Sequence, residues 1–409
     1  MADQVAQQWR QGLSAMERYD NIQNIKAILE ATSPTDEATT PTHQRAFAIE
    51  TEAYSNATTR EQYNSACLLK SPPGDSAVGH RSHAQGDHAE VRPESPGITI
   101  GNYHECHYIS GGVTSQVYRC KAVALKVIVE THNIEPHNPL REAKILELLE
   151  EPCIIRLLET FRDQEQRLVL AMPYMPLTLQ HLIDRGPPLE RGQVTAHFGA
   201  LFRALAHIHA QGIIHRDIKP SAVLLASPHQ GPAYLSDFGT AWHPGLSSTS
   251  EPADNKILDI GTGPYRAPEV LFGDKSYTTA VDIWAAGVML TECCRRRPRG
   301  GDPAAAPLGP IFESRAVHED GNQLSLILSI FKTIGSPTPE TWPAAKNFRT
   351  PPFEMYQSFA GRPWADLLVG VDEDVAGLIQ SMLRYESSTR PSAEEILASK
   401  LFDVQSAPP

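Results

Sequence analysis

No stretch of the chain approaches 18 consecutive apolar residues, so no membrane-crossing helix is expected. The opening Met1-Ala2-Asp3-Gln4 lacks both a basic patch and an apolar core, so no secretory signal is expected either. Basic residues are in the minority: 36 Lys and Arg face 48 Asp and Glu, a net charge of −12. That balance argues against direct nucleic-acid binding and against a polybasic membrane anchor. The six cysteines, Cys67, Cys106, Cys120, Cys153, Cys293 and Cys294, show no C-x-x-C and no paired spacing. They read as reduced thiols of a nuclear and cytoplasmic protein, with vicinal Cys293-Cys294 packed in a helix. What the chain does have is length, 409 residues, and enough apolar content, 41%, for a sizeable core and more than one domain.

Three regions differ in texture. Residues 1–70 carry helical periodicity: Trp9, Leu13 and Met16, then Ile22, Ile25 and Leu29, then Ala46, Phe47, Glu50, Ala53, Tyr54 and Ala57. Ser33-Pro34 and Thr40-Pro41 break the first helix from the second, and a third can start at Thr59. A small three-helix bundle follows. Residues 71–97 are rich in Gly, Ser, His and Asp and read as a disordered linker. His80, His83 and His88 lie there, but their spacing matches no metal-ligand set. From Ile98 the chain turns strand-rich, through Val117–Cys120, Ala122–Val129 and Arg167–Met172. One amphipathic helix interrupts it at 140–150, and helices dominate after Leu179. A strand-rich lobe followed by a helix-rich lobe is an α+β layout, placed at 98–404 with a tail at 405–409. Arg295–Ala306 reads as a surface insertion.

A relay of charged residues runs through this region. Lys126 ends the apolar run Val123-Ala124-Leu125, and Glu142 follows sixteen residues later inside the helix. Paired, they would aim an ammonium at nucleotide phosphates. His215-Arg216-Asp217-Ile218-Lys219 offers a carboxylate to orient a substrate hydroxyl and a lysine to steady a transferring phosphoryl. Asp237-Phe238-Gly239 offers a magnesium ligand, and Ala267-Pro268-Glu269 and Asp282 complete the series. One link is broken. Ala222, five residues after Asp217, stands where this chemistry normally has a metal-binding Asn. The glycine loop is also eroded: of three expected glycines at 110, 112 and 115, only Gly112 remains, with serines at the others. Taken alone, that segment is an ordinary hairpin turn.

On these motifs, residues 103–404 resemble the eukaryotic Ser/Thr protein kinases, and within them the cyclin-dependent kinase group. Leu140-Arg141-Glu142, Tyr265-Arg266-Ala267-Pro268-Glu269, Ala280-Val281-Asp282-Ile283-Trp284 and Ile330-Phe331-Lys332-Thr333-Ile334-Gly335 carry that resemblance. It implies a bilobal fold using ATP and magnesium. Asp217, Lys219 and Thr262 would be catalytic and Asp237 the metal ligand. Ser110, Gly112, Val117, Ala124, Lys126, Glu142, Met172, Tyr174, Met175 and Leu224 would bind the nucleotide. It also implies a spine of Leu146, Leu157, His215 and Phe238, and an ion pair between Arg390 and Glu269. Ile257 falls where the group carries its activating phosphothreonine. That departure and the eroded loop make the chain similar to fungal single-subunit kinases that activate cyclin-dependent kinases. The implied partner is then a protein substrate such as another cyclin-dependent kinase, with the need for a cyclin left open.

Residues 4–70 resemble the three-helix KIX module of Mediator tail coactivator subunits, which binds amphipathic activator peptides; Tyr63 is the candidate groove contact. A pseudokinase or scaffold is the alternative, resting on Ala222, Ser110 and Ser115.

Overall fold

The computed structural model describes residues 97–402, apart from 112–113, 130–134, 186, 229–230, 232, 248, 296–308, 315–321 and 354–356. It also describes scattered positions between 21 and 67. Gly112, the expected linker up to residue 96, the tail and most of the expected insertion lie outside the described residues.

Among the positions in 21–67, Ile22, Ile25, Leu29, Ala46, Ala53, Ala57, Tyr63 and Cys67 form a core of their own. Tyr63 and Cys67 lie on helix α1 (Arg60–Cys67). Tyr63 is fully buried, and its hydroxyl donates to the equally buried Glu50 at 2.7 Å. It is therefore a core residue and not a groove contact. The earlier spacing rule could not tell which helical face Tyr63 would present.

Six strands make the first large layer: β1 (Ile98–Ile100), β2 (Tyr103–Gly111), β3 (Ser115–Cys120), β4 (Val123–Ile128), β5 (Glu159–Arg162) and β6 (Leu168–Pro173). They form an antiparallel sheet in the order β1-β2-β3-β4-β6-β5. Helix α2 (Pro139–Leu148) lies between β4 and β5 in sequence. It starts where the residues dictate: the Asn138 side chain caps the Arg141 amide at 2.9 Å, Pro139 opens the first turn and Glu142 follows in that turn.

Beyond this sheet come α3 (Leu179–Arg185) and α4 (Arg191–Ala210), then the short ribbon β7 (Leu177–Thr178), β8 (Val223–Leu225) and β9 (Ala233–Leu235). The rest is helical: α5 (Pro268–Leu271), α6 (Ala280–Cys294), α7 (Asn322–Ile334), α8 (Trp364–Leu367), α9 (Glu373–Met382) and α10 (Ala393–Leu397). This is the bilobal α+β fold expected from sequence.

Helix α6 is the hub of the helical lobe, with all but two of its residues buried. A side chain at Gly287 would meet Met382 Cβ at 3.0 Å, which shows how closely α6 and α9 approach. Around it Phe272 stacks on Phe331, and Trp342 stacks on Tyr385, at centroid distances of 6.1 and 5.4 Å. Arg390 grips Glu269 through two bonds of 2.6 and 2.8 Å and lies 5.0 Å over the Trp284 ring. All six cysteines are buried, and none forms a disulfide.

The core of residues 21–67 is a cluster distinct from those of the two lobes. Deleting residues 1–96 is therefore expected to move the melting temperature of the remaining chain by less than about 2 °C, as read by calorimetry. A larger drop would mean that the two cores share apolar surface.

Candidate active site

Strand register gathers the first group. Val117 pairs with Lys126, and Ala124 pairs with Met172. Because strand side chains alternate, Val117, Ala124, Lys126 and Met172 share one face of the sheet. Ser110, across from Val117, lies in β2, not in a loop. Ser115 is buried in β3, so its hydroxyl does not line an open phosphate loop. After Met172 the chain leaves the sheet: the Tyr174 amide donates to the Ala122 carbonyl at 2.8 Å, and the Arg119 guanidinium lies 4.6 Å from the Tyr174 ring centre. Met175 and Leu224 are partly buried against the main core.

Lys126 Nζ is held between two elements. It donates to Glu142 at 2.7 and 2.9 Å and to Asp237 Oδ1 at 2.9 Å. Glu142 is only 2% exposed, so it positions Lys126 and does not itself face the cleft. Burial lowers the Lys126 pKa, but Asp237 and Glu142 outweigh it and leave the ammonium above its ordinary value. The charge of Lys126, opposed by burial, holds the Asp237 carboxyl well below the usual carboxylate range. The side chain of Asp237 is 44% exposed, so an ionised carboxylate faces the cleft.

A second cluster is built on the 215–219 turn. Thr262 Oγ1 donates to Asp217 Oδ1 at 2.6 Å, while Lys219 Nζ donates to Asp217 Oδ2 at 2.5 Å and reaches Thr262 Oγ1 at 3.4 Å. Such a carboxylate, flanked by an ammonium and a hydroxyl, can orient an incoming hydroxyl and hold charge on a group in transfer.

The turn is fixed from below by buried Asp282. Its two oxygens accept the His215 and Arg216 amides at 2.9 and 2.8 Å, and His209 Nε2 lies 2.9 Å away. Burial raises the Asp282 pKa, but the hydrogen bond and charge from His209 and the contacts with His215 leave it lowered. The His215 ring meets Phe238 edge-on at 4.9 Å, and Leu146 and Leu157 belong to the same large core as Phe238.

The residue flanking the cleft that sequence reasoning missed is His137. Burial holds its imidazole below its ordinary value, against the pull of Asp237 and Asp217. Nothing in its spacing marks it. It is placed by the next residue, Asn138, whose amide donates to the Gly239 carbonyl at 2.9 Å.

Magnesium and ATP fit this donor set in part. Asp237 provides one ionised carboxylate, and a metal bound through one or two carboxylates plus phosphate oxygens is ordinary for magnesium. Ala222 is buried and presents a methyl group where a second oxygen is expected; its carbonyl is taken by Ser236. No group of three or more His, Cys, Asp or Glu among the described residues forms another metal cluster.

Comparison with known proteins agrees with this geometry. Residues 103–402 match the protein kinase domain. The chain is 30% identical over 304 residues to the serine/threonine-protein kinase csk1 of Schizosaccharomyces pombe, covering 70% of this chain and 90% of that one. It is 28% identical over 319 residues to cyclin-dependent kinase 7 of Carassius auratus, covering 75% of this chain and 84% of that one. The same identity and length hold for cyclin-dependent kinase 7 of Xenopus laevis, at 75% and 82% coverage. With Lys126, Glu142, Asp217, Lys219 and Asp237 all in bonded clusters, the pseudokinase alternative finds no support. The chain belongs to the protein kinase family and is a protein serine/threonine kinase of the cyclin-dependent-kinase-like kind.

Proposed function

We propose that this kinase phosphorylates and thereby activates cyclin-dependent kinases, acting in cell-cycle or transcription control in the nucleus and cytoplasm. The observation that carries the reading is that a single chain assembles both halves of the site. Lys126 is seated on Glu142 and Asp237, and Asp217 on Lys219 and Thr262. Ile257 in place of a phosphorylatable residue and the likeness to cyclin-dependent kinase 7 support the same reading.

In this reading Asp237 holds magnesium and Lys126 steadies the nucleotide phosphates. Val117, Ala124, Met172 and Leu224 make the apolar slot for the base, with the Tyr174–Met175 segment at its edge. Bound magnesium neutralises charge on the phosphates. Asp217 orients the substrate hydroxyl, and Lys219 offsets the charge that develops.

Two measurements test this. The purified chain, given ATP, magnesium and a catalytically inactive cyclin-dependent kinase, should phosphorylate that kinase on its activation segment, with and without a cyclin. Transfer to a generic protein but none to the cyclin-dependent kinase would sink the substrate assignment and leave the kinase assignment intact.

The metal ligands give the second test. Asp237→Asn should abolish turnover without changing the melting temperature by more than a few degrees, because it removes the one carboxylate facing the metal. Ala222→Asn should lower the magnesium concentration at half-maximal rate several-fold, or raise kcat by about tenfold or more, approaching the value of one transition-state electrostatic group. An unchanged magnesium titration and an unchanged kcat would show that Ala222 costs the enzyme nothing.

A further inference from the structure

Arg216 is a guanidinium with no exposure at all, next to Asp217 in the catalytic turn. Its backbone sits in the left-handed region at φ 72°, which a non-glycine residue keeps only when its surroundings hold it there. Its Nε donates to the Thr240 carbonyl at 2.5 Å, and its Nη1 donates to the Tyr277 hydroxyl at 3.2 Å and to Glu251 Oε1.

Glu251 is 1% exposed. The same Oε1 accepts the Ile257 amide at 2.8 Å, while the Ile257 carbonyl accepts the Tyr277 hydroxyl at 2.7 Å. The backbone of Glu251 is fixed as well: its carbonyl accepts the Trp242 indole N–H at 2.9 Å, and its amide donates to Ser247 at 2.9 Å. One carboxylate thus joins three pieces of the site: the turn with Asp217, the turn that follows Asp237 and the 251–262 stretch that delivers Thr262.

We infer that Glu251 is a positioning residue for phosphotransfer, a built-in anion that orders residues 251–262 so that no phosphate is needed to do so. A buried guanidinium must have an anion beside it, and here the chain supplies its own. Thr249 and Ser250 are exposed and could carry a phosphate. Such a phosphate finds no accessible guanidinium at Arg216 unless Glu251 is expelled. The neighbouring cation is engaged too. Lys256 Nζ donates to the Ala253 carbonyl and to the Tyr277 carbonyl, the latter at 2.9 Å, and lies 5.1 Å from the Trp242 and Tyr277 ring centres. Arg216 Nη2 and Glu251 Oε2 have no hydrogen-bond partner, so losing the Nη1–Oε1 bond would leave each buried charge without its counter-ion.

This inference rests on the chain being a kinase and not on which protein it phosphorylates. Its assay therefore uses the full chain, phosphatase-treated, with ATP, magnesium and myelin basic protein. Wild type should keep its activity after phosphatase treatment. Glu251→Gln should lose about tenfold or more in kcat, the scale of a small misplacement of catalytic groups. Its KM for ATP should stay within about twofold, because the nucleotide contacts are untouched. Glu251→Asp should recover part of the loss. Arg216→Gln/Glu251→Gln should be no worse than the weaker single variant, as expected for two residues acting as one unit. A purely structural Glu251 would lower the melting temperature and leave the kcat of the folded fraction unchanged.

Should Glu251→Gln fail to fold, hydrogen exchange on wild type decides: the Ile257 amide should be protected, equally before and after phosphatase treatment. The inference is overturned if folded Glu251→Gln keeps kcat within about twofold of wild type. It is equally overturned if phosphatase treatment abolishes either the activity or the Ile257 protection.

Discussion

The site depends on one lysine meeting two carboxylates from different elements. Lys126 comes from β4, Glu142 from α2 and Asp237 from the turn after β9, and all three meet at the same ammonium. If α2 swung away, Lys126 would lose the partner that is 3% exposed and keep the one that is 44% exposed. Breaking a buried pair of this kind costs about 3–5 kcal/mol, because a charge is left behind without a partner. The first turn of the helix adds to this hold, since Asn138 caps it and its amide donates to Gly239. Arg141 reinforces that turn by pairing with Glu135 at 2.9 Å and donating to the Pro136 carbonyl.

Two residues at the centre, Arg216 and Asp237, adopt left-handed backbone at φ 72° and 64°. Each such residue costs on the order of 1–3 kcal/mol. Both are compensated locally. Asp282 takes the amides of Arg216 and of His215 before it, and Lys126 anchors the side chain of Asp237. The helical lobe supplies the footing: Asp282 stands in the first turn of α6, and α6 is packed on nearly every side.

Much of this was legible in the residues. Asp217, Lys219, Asp237 and Glu269 sit at spacings that phosphoryl transfer demands, and alternation of β-branched residues located β3, β4 and β6 to within a residue or two. The Lys126–Glu142 pair was anticipated from order and spacing, and the Arg390–Glu269 pair from the resemblance to the protein kinases. What was not legible depends on long-range partners with no periodic signature. Glu251 follows a run of Ser and Thr and looks like an exposed acidic residue, yet it is enclosed with Arg216, 35 positions earlier. Tyr63 looked like a ligand contact because its helical face could not be assigned until Glu50 was seen beneath it. His137 has no periodic signature either, and its neighbour Asn138 is tied to Gly239.

The buried cysteines have a practical consequence. Burial pushes the Cys106 thiol up to about 12 and raises those of Cys153 and Cys293, so the reactive thiolate is scarce at neutral pH as well as out of reach. The native chain should then be nearly silent to alkylating reagents, and each labelling event becomes a record of local opening. Cys67 reports on the core formed by positions between 21 and 67, Cys106 and Cys120 on the sheet, and Cys293 and Cys294 on the hub helix. The molecule carries its own set of unfolding clocks, one for each of its packed units.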